Sequence, residues 1–162
     1  CCNVSRSIMR EAALVRLLVS LAMRAQQARG YCVLLTSNPM TNPSSAIMAI
    51  HTASEALTQG HQVTFFAAGD GVRILMKDVI QNLHTVTRHG GGSPKISQMA
   101  TQKLLDFSNN GGVIHVSEGS FKTYGVNQEN HKEKLLAVKS INWSYPKQLI
   151  QVSSKADLVF SY

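Results

Sequence analysis

Three short apolar runs, each followed by a turn and then by a helical pattern, constrain the fold of this chain most. The runs cover residues 31–36, 63–68 and 113–116. Continuous apolar runs of this length are typical of strands that are buried on both faces. Strands that alternate with helices form right-handed crossovers and therefore a parallel sheet. The sequence predicts an α/β domain of three layers, with a mostly parallel sheet between helices.

The segments between and after these runs complete the predicted domain. Apolar residues recur at helical spacing in four further stretches, which are residues 44–59, 72–83, 93–108 and 146–154. Ser44 or Ser45 is expected to cap the first of these helices, and Asn127 to cap another short one. Residues 135–141 fit either a helix end or a strand, and residues 156–162 predict a final strand.

Residues 1–30 precede the first strand and are predicted to form an N-terminal extension to a domain of residues 31–162. Helical spacing relates Ile8, Ala12, Val15, Leu18, Leu21 and Ala22, and the arginines fall largely off this stripe. The pattern predicts an amphipathic helix that needs a partner, either the sheet domain or a neighbouring subunit. An Arg-rich, acid-poor start also fits an organelle-targeting or export leader. No apolar run reaches the roughly 18–20 residues of a membrane span.

Charge and cysteine usage narrow the classes of function. The formal net charge is +7, but most of it lies in the extension, so the domain is only mildly basic. We expect no nucleic-acid partner, because no basic face with aromatic or motif support is evident. The six histidines and three cysteines show no metal-ligand spacing, so neither a metal nor another cofactor is expected. Cys32 lies in a predicted strand, and a reducing, cytoplasmic location is expected.

Polar side chains follow each of the first three predicted strands. The carboxyl ends of parallel strands meet at one edge of a sheet, where ligands usually bind. The predicted binding rim therefore contains Ser37, Asn38, Asp70, Ser117, Glu118 and Ser120. The first two residues could bind an anion together with the next helix N-terminus. Asp70 could contact a ligand, although capping the next helix is the favoured role.

Several segments, taken in order, resemble one known family. They are Thr36-Ser37-Asn38-Pro39, the stretch from Glu55 to Val63 that leads into Phe65-Phe66, Gly69-Asp70-Gly71-Val72, Tyr124-Gly125-Val126, and Ala156 to Phe160. With these segments, residues 31–162 resemble the DsrE/DsrF-like sulfur-relay family and its flavodoxin-like YchN fold. Members of that family carry sulfane sulfur on a cysteine just after the third strand, eight residues before the glycine of the closing Gly-Val.

The resemblance puts a serine at the position of the carrier cysteine. Counting back from Gly125 gives Ser117, and Ser120 stands where some members have a second thiol. A serine hydroxyl is not appreciably ionised and cannot form a persulfide. The resemblance then implies a non-catalytic member that acts as a structural or binding subunit. It also implies a homo-oligomer, such as a trimer or hexamer, and a sulfur-relay protein as partner.

Other functions stay open at this point. Sulfur could be carried on Cys32 or on the Cys1–Cys2 pair. Ser117 could act as a hydrolytic nucleophile with His115 and Glu118, although no G-x-S-x-G motif surrounds it. Nucleotide or flavin binding rests on analogy with the flavodoxin-like fold alone. The structural alternative is that Ser117 and Ser120 satisfy backbone groups in a turn.

Overall fold

A computed structural model of the protein describes residues 28–84 and 94–162. This part contains one sheet of five strands in the order β4-β3-β2-β1-β5, and every neighbouring pair is parallel. The strands are β1 (Gly30–Leu35), β2 (Gln62–Ala67), β3 (Val113–Ser117), β4 (Asn142–Ser144) and β5 (Leu158–Ser161). The predicted parallel α/β architecture is confirmed. An amphipathic helix is predicted within residues 1–30, and residues 1–27 of this segment lie outside the described residues.

Helices connect these strands. In chain order they are α1 (Pro43–Thr58), a 3-10 helix (Gly69–Leu75), α2 (Lys77–Ile80), α3 (Pro94–Asn109), α4 (Glu118–Thr123), α5 (His131–Lys134) and α6 (Pro146–Lys155). The chain steps from β1 through to β4 in one direction across the sheet, and then returns from β4 to β5 at the opposite edge. Right-handed crossovers therefore put the first helices on one face of the sheet and α6 on the other.

The face under the first helices holds the hydrophobic core, and we call it the core face. Val33, Phe65 and Ile114 are neighbours across three strands on this face, and each is fully buried. Small residues such as Ala49 and Ala53 let α1 lie close to the strands. The ring of Phe107 from α3 meets Phe65 edge-on at 6.5 Å. The parallel register places Leu35, Ala67 and Val116 side by side, so β1, β2 and β3 end at nearly the same level of the sheet.

The opposite face, which we call the second face, is covered by α6 alone among the described helices that pack against the sheet. Cys32 and Phe66 point to this face and are buried. Helix α6 itself contains no buried residue. Val113 and Val159 belong to the same face by register and are 40% and 48% exposed. This face is therefore less well covered than the core face.

Several local predictions are wrong in detail. Asn42, and not Ser44 or Ser45, caps α1, because Pro43 takes the first helical position and the Asn42 side chain accepts the Ser45 N–H. Residues 72–83 form no continuous helix. The 3-10 helix passes so close to β1 that a Cβ on Gly71 would lie 2.2 Å from the Leu35 carbonyl oxygen. Strand β4 was not predicted, and Leu135 makes only an isolated bridge to Met76.

Candidate functional site

Four side chains from three loops form a closed polar ring at the carboxyl edge of the sheet. Asn38 follows β1, Asp70 and Arg73 belong to the 3-10 helix after β2, and Tyr124 follows α4. The Tyr124 hydroxyl donates to Asp70 Oδ1 at 2.5 Å, and Asn38 Nδ2 donates to Asp70 Oδ2 at 3.5 Å. Arg73 Nη1 donates to Asn38 Oδ1 at 3.3 Å, and its guanidinium lies 5.3 Å from the centre of the Tyr124 ring.

Asp70 accepts two of the hydrogen bonds of this ring and does not cap a helix. The cap position of the 3-10 helix is Ala68, which offers no side-chain hydrogen bond. The predicted capping role of Asp70 is therefore wrong, because its carboxylate is taken up by Tyr124 and Asn38. The hydrogen bond to Asp70 raises the pKa of Tyr124, with burial and the negative charge acting in the same direction. The tyrosine thus remains a hydrogen-bond donor.

Ser117 and Ser120 join the ends of β2 and β3. Ser117 caps α4, and its Oγ accepts the Ser120 N–H at 3.3 Å and the Ser120 hydroxyl at 2.9 Å. Ser120 Oγ in turn accepts the Gly69 N–H at 3.0 Å. Both serines therefore satisfy backbone groups, as the structural alternative predicts. The arrangement leaves the Ser117 oxygen engaged as an acceptor of two hydrogen bonds.

The side chains that could activate Ser117 have other partners. His115 Nδ1 lies 2.8 Å from Ser144 Oγ on the second face, and the imidazole stacks on Phe66 at 5.6 Å. Burial lowers the pKa of His115. The Glu118 carboxylate contacts Lys122 Nζ at 2.8 Å, and this contact lowers the pKa of Glu118. His115, Ser117 and Glu118 therefore do not form a hydrogen-bonded catalytic triad in this structure.

Ser37, the remaining predicted rim residue, and Cys32, the described cysteine, are not members of the ring. Ser37 Oγ is 2.7 Å from Ser45 Oγ, which ties the loop after β1 to the start of α1. Cys32 is fully buried beneath α6, and burial raises the pKa of its thiol while a hydrogen bond with Ser153 opposes that shift. Cys32 also lies three residues, or about 10 Å of strand, before the end of β1. The structure thus places this thiol away from the rim.

Sequence reasoning missed Arg73 and Tyr124. Tyr124 belongs to the Tyr-Gly-Val segment that carries part of the family resemblance, and this membership could have marked it as a site residue. Arg73 comes three residues after Asp70, and such residues eclipse one another in a 3-10 helix, but that helix was not predicted. Only the tertiary structure shows that these four side chains form a ring.

Two further observations limit what the described residues can hold. Across residues 28–84 and 94–162, no group of three or more histidine, cysteine, aspartate or glutamate side chains could bind a metal ion. None of the helices within these two ranges combines the length and the hydropathy of a membrane-spanning segment.

Comparison with known proteins identifies the family. A model of the DsrE/DsrF-like family matches residues 30–162. The chain belongs to the DsrE/DsrF-like family. This match starts at the first residue of β1 and includes all five strands, the ring and Ser117. The predicted family is therefore confirmed over the whole described α/β domain.

Two solved structures illustrate the similarity of the fold. The crystal structure of the ychN protein from E. coli has a TM-score of 0.57 and 13% identity, covering 84% of this chain and 100% of that one. A conserved protein of unknown function from Bacteroides thetaiotaomicron, BT1422, has a TM-score of 0.53 and 12% identity, covering 83% and 95%. At this identity the likeness shows the fold alone. No curated protein matches the chain.

Proposed function

We propose that this DsrE-like chain is a non-catalytic member of a sulfur-relay system. In this proposal it works in the cytoplasm as a homo-oligomeric structural subunit, or as a subunit that binds a small molecule or a partner protein at the rim. The observation that carries the proposal is Ser117. It is the last residue of β3, at the position that the family resemblance gives to the carrier cysteine, and its side chain caps α4.

The chemistry of persulfide transfer explains why this serine matters. A carrier thiolate attacks the outer sulfur of a persulfide, forms a new S–S bond and releases the donor thiolate. An alcohol at this position stays protonated at neutral pH and forms no such bond. Ser117 also gives its oxygen to two hydrogen bonds from Ser120. The residue suits a structural task at the edge of the sheet better than group transfer.

The rim retains groups that can recognise a ligand or partner. Asp70 offers a carboxylate, Asn38 an amide and Tyr124 a hydroxyl, and their mutual hydrogen bonds hold them in place. Arg73 adds a positive charge, and no described carboxylate lies within ion-pair distance of it. A sulfur-relay protein that presents a polar loop is the partner we propose for this surface.

Mass spectrometry of the intact protein tests the absence of sulfur transfer. The natural chain and the Ser117→Cys variant are incubated with sodium polysulfide, and sites of modification are then located in peptides. We expect the new thiol at position 117 to gain sulfur and Cys32 to remain unmodified. Ser154→Cys on the exposed side of α6 is the matched control for a cysteine outside the rim. Sulfur on Cys32, Cys1 or Cys2 of the natural chain would identify another carrier and refute the proposal.

Two simple measurements test the remaining parts of the proposal. Native mass spectrometry is expected to show a trimer or a hexamer, whereas a monomer at micromolar concentration would refute the structural-subunit role. Turnover of an activated ester is expected to be equal in the natural chain and in Ser117→Ala. A loss of turnover in that variant would instead favour a hydrolase.

A further inference from the structure

Strand β5 leaves one edge of the sheet open in the described part of the chain. It is the last strand in the order β4-β3-β2-β1-β5, and its only described partner is β1. Edge strands are usually protected by a charged side chain, a proline, a bulge or a covering element. The sequence of β5 is Leu-Val-Phe-Ser, which contains neither a charge nor a proline. Its register with β1 is continuous over all four residues, so it contains no bulge either.

Both faces of the sheet are poorly covered beside β5. Leu158 is 40% exposed on the core face, and Val159 is 48% exposed on the second face. Successive side chains of a strand alternate between the two faces, so α1 and α6 each leave part of this strand uncovered. Because both exposed side chains are apolar, a strand added next to β5 would remove apolar surface from water.

The hydrogen bonding of Tyr162 shows which peptide groups of β5 are unpaired. Its N–H donates to the Leu34 carbonyl at 2.9 Å, so the peptide groups of Tyr162 point towards β1. The two peptide groups of a residue in a strand point to the same edge, and the direction alternates from one residue to the next. Phe160 therefore also faces β1, whereas the N–H and C=O groups of Val159 and Ser161 point outwards. No hydrogen bond from residues 28–84 or 94–162 reaches these four outward groups.

An antiparallel pair of β5 strands from two copies satisfies all of these groups. With Phe160 of each copy at a two-fold axis perpendicular to the sheet, Val159 of one copy lies opposite Ser161 of the other. Each such pair exchanges two N–H···O=C bonds, so the two pairs form four. Centring the strands on Val159 instead would set Ser161 opposite Asp157, whose N–H already donates to the Gly30 carbonyl at 2.8 Å. The register centred on Phe160 therefore matches the open edge better.

We propose that β5 pairs with β5 of a second copy of this chain in this register, joining two five-stranded sheets into one of ten strands. A second copy is the favoured partner because the two-fold arrangement makes the edge complementary to itself. The strand is uncharged, so the pairing brings no like charges of β5 together. This inference rests on the homo-oligomeric part of the proposed function and specifies one contact. A hexamer made of two trimers contains two-fold contacts, whereas a trimer alone contains none.

Hydrogen exchange of single amides in the natural chain tests this contact. The N–H groups of Val159 and Ser161 point outwards in one copy alone, so they need a further strand for protection. We expect each to exchange at least tenfold more slowly in the oligomer than in the same protein diluted until it is monomeric. The N–H of Phe160 faces β1 in both states and is the internal control. Mass spectrometry with fragmentation that resolves single amides measures all three rates.

Oxidative cross-linking tests the register. Residues at the two-fold axis form a pair without hydrogen bonds, with Cα atoms about 4.5 Å apart, which a disulfide can bridge. We expect Phe160→Cys to form a disulfide between two copies at position 160, identified in peptides by mass spectrometry. Leu158→Cys on the same face is the matched control, because its Cα atoms would be separated by about 14 Å along the strands. A cross-link at position 158 but not at 160 would overturn the register.

The other outcomes separate this contact from the function proposed above. An oligomer whose Val159 and Ser161 amides exchange as fast as in the monomer would overturn the β5 contact and leave the homo-oligomer standing. Protection that persists in the monomer would assign the edge to another part of the same chain and would also overturn the contact. A protein that is monomeric at micromolar concentration would refute both. Protection confined to the oligomer, with a cross-link at position 160, is the result that the inference requires.

Discussion

Tyr124 donates a hydrogen bond to Asp70, which lies 54 residues earlier in the chain. The bond connects the loop after α4 to the 3-10 helix after β2. A second connection runs a short way along the same edge, from the Gly69 N–H to the Ser120 hydroxyl. These two bonds hold the loops after β2 and β3 together, so the shape of the rim depends on both.

The Tyr124→Phe variant removes the first connection. We expect it to lower the free energy of unfolding by about 0.5–1.5 kcal/mol, as is typical for one hydrogen bond. Urea unfolding measures this loss.

A difference absorbance titration of the natural chain against this variant should show that the phenol of Tyr124 ionises above the ordinary pKa. The stability that this hydrogen bond contributes is complete below the pKa of Tyr124 in the unfolded state. It is lost as the pH rises through the higher pKa of Tyr124 in the folded state. Ionisation at or below the ordinary value would contradict the bond to Asp70.

The Ser117→Ala variant tests the structural role of the serine at the end of β3. Because the variant cannot cap α4, its free energy of unfolding should fall by about 0.5–2 kcal/mol. Ser154→Ala is a suitable control, since that hydroxyl lies on the exposed side of α6, and its effect should stay within about 0.5 kcal/mol. Equal stability of the two variants would show that the cap at Ser117 contributes nothing.

Two glycines give a matched pair for the packing of the 3-10 helix. A Cβ at Gly71 would meet the backbone of Leu35 at 2.2 Å, whereas nothing lies within 4 Å of a Cβ at Gly119. Gly71→Ala is expected to destabilise the fold by about 3 kcal/mol, because the clash involves backbone atoms. Gly119→Ala should be neutral or stabilising by up to about 1 kcal/mol, since alanine favours the helix. Thermal unfolding of both variants decides this, and a tolerated Gly71→Ala would refute the close approach.

Because His115 is buried, we expect the free energy of unfolding to decrease in acid. Burial lowers its pKa in the folded state, so the unfolded state binds more protons below the ordinary value of about 6.5. The stability from the neutral form is complete above the unfolded pKa and is lost as the pH falls through the folded pKa. Urea midpoints between about pH 4 and 7 should therefore fall more steeply in the natural chain than in His115→Gln. Identical slopes would show that His115 is not the responsible group.

The sequence predicts the strands well where burial determines the pattern. Residues such as Val33 and Phe65 lie in continuous apolar runs, and these runs became β1 and β2 within one or two residues. Strand β4 escaped prediction because it contains three residues and only Trp143 among them is apolar. It is defined by pairing with β3, which is a tertiary interaction.

The sequence predicts at which edge of the sheet the candidate site lies, but not which of its side chains form hydrogen bonds with one another. The rule that loops meet at the carboxyl edge groups Asn38, Asp70 and the two serines, and hydrogen bonds join Asn38 to Asp70 and Ser120 to both Ser117 and the Gly69 backbone. Local reasoning failed for Asp70, because a tyrosine far along the chain competes for its carboxylate. Glu118 pairs with Lys122 one helical turn later, a spacing typical of ion pairs on a helix, but the sequence predicts a turn there and not helix α4.

The register between β1 and β5 has a consequence for synthesis of the chain. Cys32 pairs with Val159, so the second neighbour of β1 is made more than a hundred residues after β1 itself. Until residues 158–161 leave the ribosome, one side of this apolar strand has unpaired peptide groups. Open strand edges of this kind pair readily with other chains. This edge of β1 can therefore pair with other chains from the time β1 is made until β5 is made, however stable the finished sheet becomes.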